Sequence, residues 1–165
     1  MSGQHAPEPL EVRIYRLMTA KGLTFAAAES CTGGLITHRL TNVPGSSAYV
    51  IGGIVAYANE AKIKLLNVQV ETLKQYGAVS EQVAREMARG ACLALGTDVA
   101  LSVTGIAGPG GGTAAKPVGL TYIGLRAPGR DQVVRHVFTG DRDRNKLASA
   151  EAALQLLFDY LATTG

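Results

Sequence analysis

Tryptophan is absent, aromatic residues make up 5% of the chain, and cysteine occurs only at Cys31 and Cys92. These two cysteines have no metal-ligand spacing, and the opening Met1-Ser2-Gly3-Gln4-His5-Ala6-Pro7 has no charged and apolar secretory pattern. The expected compartment is therefore a reducing cytoplasm. Long apolar runs are also missing. The nearest, Ala48 to Ala58, is interrupted by two glycines and two tyrosines and falls well short of the roughly 20 residues that cross a bilayer, so no membrane association is expected. Blocks of like charge are missing too. With 16 Lys and Arg against 13 Asp and Glu, the net charge of +3 gives no indication of nucleic-acid binding. Charged residues at 18% and hydrophobic residues at 47% exclude disorder except at the ends. A length of 165 residues predicts one domain over residues 9–165, after a flexible tail at 1–8.

Glycine is what the chain has in excess, at 20 residues or about 12% against a usual 7%. Half of these residues fall in clusters that punctuate a regular pattern. Leu10, Ile14, Leu17 and Met18 mark a first helix closed by Gly22. Leu23 to Ala28 is a short apolar strand, and Leu35 to Leu40 a helix behind Gly33-Gly34. Ala48 to Tyr57 reads as a second strand, followed by a short helix from Glu60 to Leu66 with Asn59 as its N-cap. Ser80 opens the clearest helix, which ends at Gly96 and carries Cys92 as a buried packing residue. Val99 to Val103 is a third strand. Leu120 to Leu125 and Gln132 to Phe138 form a hairpin, and a last helix spans Asp143 to Leu161, with Leu147 among its apolar residues. Strands alternating with helices, then a hairpin, predict an α/β fold: a single three-layer α/β/α domain with a mixed sheet of about five strands.

The candidate chemistry sits at the strand ends. Ser30 follows a buried strand and precedes Gly33-Gly34, where a hydroxyl projects beside free backbone N–H groups. It can be a nucleophile next to an oxyanion hole, although Ser30 or Thr32 can equally act as a plain helix cap. The three histidines are poor bases for it: His5 lies in the tail, His38 within a helix and His136 on a hairpin strand. Lys62 falls in the first turn of its helix, where the helix dipole disfavours a cation and lowers an amine pKa. Lys64 competes for the same role. Tyr57 is placed to relay a proton or to orient the lysine. Gly105 to Gly112 follows a buried strand and can bring amides close to an oxyanion or a phosphate. It matches neither a P-loop nor Gly-x-Gly-x-x-Gly. In Gly140-Asp141-Arg142, Asp141 can cap the last helix while Arg142 points at the sheet edge. Ser30, Tyr57, Thr104 and Arg142 each follow a strand, so a common edge would bring them to one crevice.

The strings Ala28-Glu29-Ser30-Cys31-Thr32-Gly33-Gly34, Tyr57-Ala58-Asn59-Glu60-Ala61-Lys62, Gly77-Ala78-Val79-Ser80, Thr104-Gly105-Ile106-Ala107-Gly108-Pro109-Gly110-Gly111 and Gly140-Asp141-Arg142, in this order, resemble the CinA C-terminal domain family. The length resembles its stand-alone form, the nicotinamide mononucleotide (NMN) deamidase of PncC type. The resemblance implies an intracellular bacterial amidohydrolase of pyridine nucleotide recycling that converts NMN and water to nicotinate mononucleotide and ammonia. It implies Ser30 as nucleophile, Lys62 as base and Tyr57 beside it, with Thr32, Gly33, Gly34, Asn59, Thr104, Gly105 and Arg142 around the substrate. Neither a metal nor another cofactor is called for. The oligomeric state is open, a homo-oligomer included. The rival expectation is a non-catalytic nucleotide-binding or regulatory module built on the same crevice.

Overall fold

A computed structural model describes residues 7–165, which form five strands and six helices. In chain order these are α1 (Leu10–Lys21), β1 (Phe25–Glu29), α2 (Leu35–Thr41), β2 (Val50–Val55), α3 (Asn59–Leu66), α4 (Val70–Tyr76), α5 (Glu81–Leu95), β3 (Val99–Gly105), β4 (Leu120–Ala127), β5 (Arg130–Val137) and α6 (Arg142–Thr163). A single 3-10 turn, Ser46–Ala48, leads into β2. The sheet order is β2-β1-β3-β4-β5. β1 runs parallel to both β2 and β3, whereas β4 is antiparallel to β3 and to β5. Consequently β1, β2, β3 and β5 all end on one edge of the sheet.

Two apolar layers cover the sheet, one on each face, and the period-2 alternation of β1 sorts its side chains between them. Phe25 and Ala27 join Ile14, Met18, Ile36, Leu40, Leu154 and Leu157 beneath α1, α2 and α6. Ala26 and Ala28 join Leu66, Val83, Met87 and Ala91 beneath α3 and α5. Covering on both faces is why β1 and β3 read as unbroken apolar runs. The expected α/β fold with a five-stranded mixed sheet is the one observed.

Several local expectations change. Asn59 is the first residue of α3 and not its cap; extended Ala58 precedes the helix, and no side chain caps it. The sequence reading missed α4, which buries none of its residues and so leaves no apolar stripe to read. The hairpin strands run further than expected and leave only Pro128-Gly129 between them. Cys92 is half-buried, and Leu147 is 55% exposed on the outer side of α6. Of the expected tail, residues 1–6, His5 among them, lie outside the described residues, and Glu8 pairs with Arg16 at 2.8 Å. None of the described helices is long and apolar enough to cross a membrane.

Candidate active site

Ser30 emerges directly from the end of β1, held there because its N–H donates to the Val103 carbonyl of β3 at 3.0 Å. The turn after it is fixed by a buried carboxylate. Glu29 accepts from the hydroxyl of Thr32 (2.7 Å), the N–H of Ile36 (2.9 Å), the N–H of Thr37 (3.1 Å) and the hydroxyl of Thr37 (2.8 Å). All four are donors, which is how a fully buried carboxylate is accommodated. A charged residue closing an apolar strand was the sequence signal for this role, and it went unread.

Lys62 comes from the neighbouring strand connection. Helical side chains lean back toward the N-terminus, so from the fourth position of α3 the lysine reaches over the first turn toward the strand ends. Its Nζ donates to Ser30 Oγ at 3.1 Å and to the Tyr57 carbonyl at 3.0 Å. The lysine is 2% exposed, and no carboxylate pairs with it among the described residues. Burial pushes its pKa below the ordinary lysine value, while the nearby Cys31 acts in the opposite sense. The expected lowering is therefore present, with desolvation as its largest cause. Lys64, two residues on and on the other side of α3, is exposed. Gly90 on α5 keeps α3 in place: a Cβ there would stand 1.9 Å from the Leu66 carbonyl oxygen, so only glycine permits the two helices to approach this closely.

Ser30 and Lys62 open onto a cavity of about 190 Å³ that is also lined by Cys31, Tyr57, Asn59, Ala78, Val79, Thr104, Gly105, Ala107 and Arg142. The four strand-end residues thus meet at one crevice, in roles that partly differ from expectation. Tyr57 orients Lys62 through its backbone carbonyl, and its hydroxyl accepts from Arg142 at 3.2 Å. Arg142 also donates to the Gly108 carbonyl at 2.8 Å, which ties the glycine loop to α6. Asn145, one turn along, adds a bond to the Ala107 carbonyl at 3.0 Å. The Thr104 hydroxyl is spent on the Ala78 carbonyl at 2.8 Å, and Asp141 caps α6 through the Arg144 N–H at 2.9 Å. Gly105 is glycine for space: a Cβ would lie 2.7 Å from Thr121 Oγ1 and 3.2 Å from Cys31 Sγ.

Thr32, Gly33 and Gly34 do not line this cavity. They border a second depression beside it, together with Leu35, His38 and Lys146. The Gly33 N–H is already committed to the Ser30 carbonyl at 3.1 Å. The Cys31 and Thr32 amides have no protein acceptor among the described residues. Burial pushes the Cys31 thiol up to about 11, so a protonated thiol faces the serine at neutral pH. A larger concavity of about 570 Å³ lies at the opposite edge of the sheet, but its Arg89 and Arg126 are turned onto Asp131. Among the described residues no three His, Cys, Asp or Glu side chains gather as a metal site.

Comparison with known proteins places this fold. The chain is 53% identical to a CinA-like protein of Chloroherpeton thalassium over 157 residues, covering 93% of this chain and 37% of the relative. It is 51% identical to a CinA-like protein of Geobacter sp. strain M21 over 156 residues, covering 94% and 38%. The chain spans a little over a third of the length of these curated relatives. Among solved structures, the competence/damage inducible protein CihA from Agrobacterium tumefaciens superposes with a TM-score of 0.85 at 42% identity over 97% of this chain and 99% of that one. The competence damage-inducible protein A from Klebsiella pneumoniae subsp. pneumoniae gives a TM-score of 0.91 at 33% identity over 94% and 97%. The CinA C-terminal domain pattern matches residues 7–161, and with relatives and a fold of this kind the chain belongs to the CinA C-terminal domain family.

Proposed function

We propose that the chain is an amidohydrolase acting on nicotinamide mononucleotide, with Ser30 as nucleophile and Lys62 as general base. The observation that carries this reading is the 3.1 Å contact between Ser30 Oγ and Nζ of a buried lysine that no carboxylate neutralises. A lysine in that setting gives up its proton easily, and its neutral amine accepts the serine proton as Oγ attacks the carboxamide carbon. The amide C–N bond then breaks, and Lys62 returns the proton so that nitrogen leaves as ammonia. Water, deprotonated by the same amine, attacks the acyl-serine and releases the carboxylate product. The unspent Cys31 and Thr32 amides are the candidates for stabilising the tetrahedral oxyanion, a contribution worth about 3–4 kcal/mol per donor in other serine hydrolases.

Incubating the purified chain with NMN and following ammonia release tests the proposal. Release that requires Ser30 supports it. Binding of NMN without release would leave the non-catalytic nucleotide-binding module.

A further inference from the structure

The cavity at Ser30 is small for the proposed substrate. At about 190 Å³ it falls below the roughly 300 Å³ at which pockets for whole small ligands begin. It can accept the pyridine carboxamide, but the rest of a mononucleotide must extend past its rim. The charge at the rim decides where an anionic group would settle. Arg142 already donates to the Gly108 carbonyl and the Tyr57 hydroxyl, which makes it a clamp on the cavity wall. Lys146 lies one helical turn further along α6, about 6 Å away along the axis. It is half-buried, and it makes neither a hydrogen bond nor an ion pair among the described residues.

Lys146 faces the second depression, about 290 Å³, whose wall begins two residues after Ser30 with Thr32 and Gly33 and includes His38. No carboxylate lines that depression, and the nearby Glu29 carboxylate is turned inward onto four donors. A Cβ on Gly33 would stand 3.9 Å from Lys146 Nζ, an ordinary contact distance that sets the ammonium beside the Gly33 backbone, while the left-handed φ of 62° is what calls for glycine there.

We propose that this depression is a phosphomonoester subsite, with Lys146 as its charged anchor and His38 on its wall, and that Lys146 makes the enzyme prefer the mononucleotide over the riboside. The proposal rests on the amidase reading for its substrate but not for its binding chemistry, so the test has two arms. The first titrates ribose 5-phosphate and ribose into wild type, Lys146→Gln and Lys146→Arg by calorimetry. Wild type is expected to bind the phosphorylated sugar more tightly than ribose. Lys146→Gln is expected to weaken ribose 5-phosphate about 10- to 100-fold, the usual loss for a charge-assisted contact to an anion, and Lys146→Arg to restore most of it. The second arm compares kcat/KM for NMN and nicotinamide riboside, and their ratio is expected to fall by a similar factor in Lys146→Gln.

Absence of ribose 5-phosphate binding by wild type, binding indifferent to Lys146→Gln, or an unchanged NMN-to-riboside ratio in an active enzyme would each overturn the subsite. Should wild type bind ribose 5-phosphate through Lys146 and release no ammonia from NMN, the amidase reading fails and the anion subsite stands.

Discussion

Thirty-two residues separate Ser30 from Lys62 in the chain, yet Oγ and Nζ stand 3.1 Å apart at the end of the sheet, and the second partner of that ammonium is the Tyr57 carbonyl. A carbonyl dipole holds the lysine in place without adding the full negative charge that would keep it protonated. Position is supplied by the backbone, and burial favours the neutral amine that can accept a proton.

Ser30→Ala removes the attacking atom and little else. The residue is 7% exposed and its N–H bond to Val103 is untouched, so the fold is expected to persist. Turnover of NMN should fall by at least about two to three orders of magnitude. Ammonia release together with a thermal melt checks both parts, and near-normal turnover would exclude a serine mechanism.

Lys62→Met is expected to abolish most activity and also to stabilise the fold. The folded pKa of Lys62 lies below its ordinary value, so the unfolded chain holds more protons between the two. Stability therefore rises with pH across that window, and below it the fold bears the full cost of a buried ammonium. Methionine removes that cost, for a gain of about 1 kcal/mol or about 2–4 °C in a chain of this size. In wild type, kcat/KM should fall with decreasing pH below the lysine's folded pKa, and this limb should vanish in the variant. A variant that melts lower than wild type at neutral pH would show that the lysine is not a net burden on the fold.

Cys31 lines the same cavity, so the hydroxyl and the thiol must be told apart. With its pKa pushed up to about 11, the thiol is protonated and unreactive at neutral pH. Cys31→Ala should retain activity within about tenfold, and alkylation of Cys31 by iodoacetamide should remain slow at pH 7 and accelerate only as the pH nears that value. Rapid alkylation at pH 7 with loss of activity would transfer the nucleophile to sulfur.

Glu29→Gln tests the carboxylate beneath the Ser30 turn. Whichever way the new amide is placed, its NH₂ faces the N–H of Ile36 or of Thr37, which no rotation can convert to an acceptor. A loss of about 1–3 kcal/mol is expected by urea unfolding, with activity falling as the Ser30 turn loosens. Unchanged stability would mean that these four contacts add nothing net to the fold.

Much of the architecture could be read from local chemistry. The 3.6-residue spacing of Ile14 and Met18, the Ser80 cap and the closing Gly22 and Gly96 mark helices because each acts within a turn or two of chain. The apolar runs of β1 and β3 mark strands covered on both faces. These features determined an α/β domain with Ser30, Tyr57, Thr104 and Arg142 at strand ends. Only the tertiary structure decided what each of them does there. The order β2-β1-β3-β4-β5 brings four strand ends to one edge, and the tight crossing at Gly90 sets α3 so that Lys62 points inward. Tyr57 contributes its carbonyl, Thr104 its hydroxyl to Ala78, and Arg142 its guanidinium to Gly108, while Thr32 and Gly33 turn to a different depression. Such partners lie tens of residues away in the chain, and their selection depends on packing between layers, which no local pattern of residue types encodes.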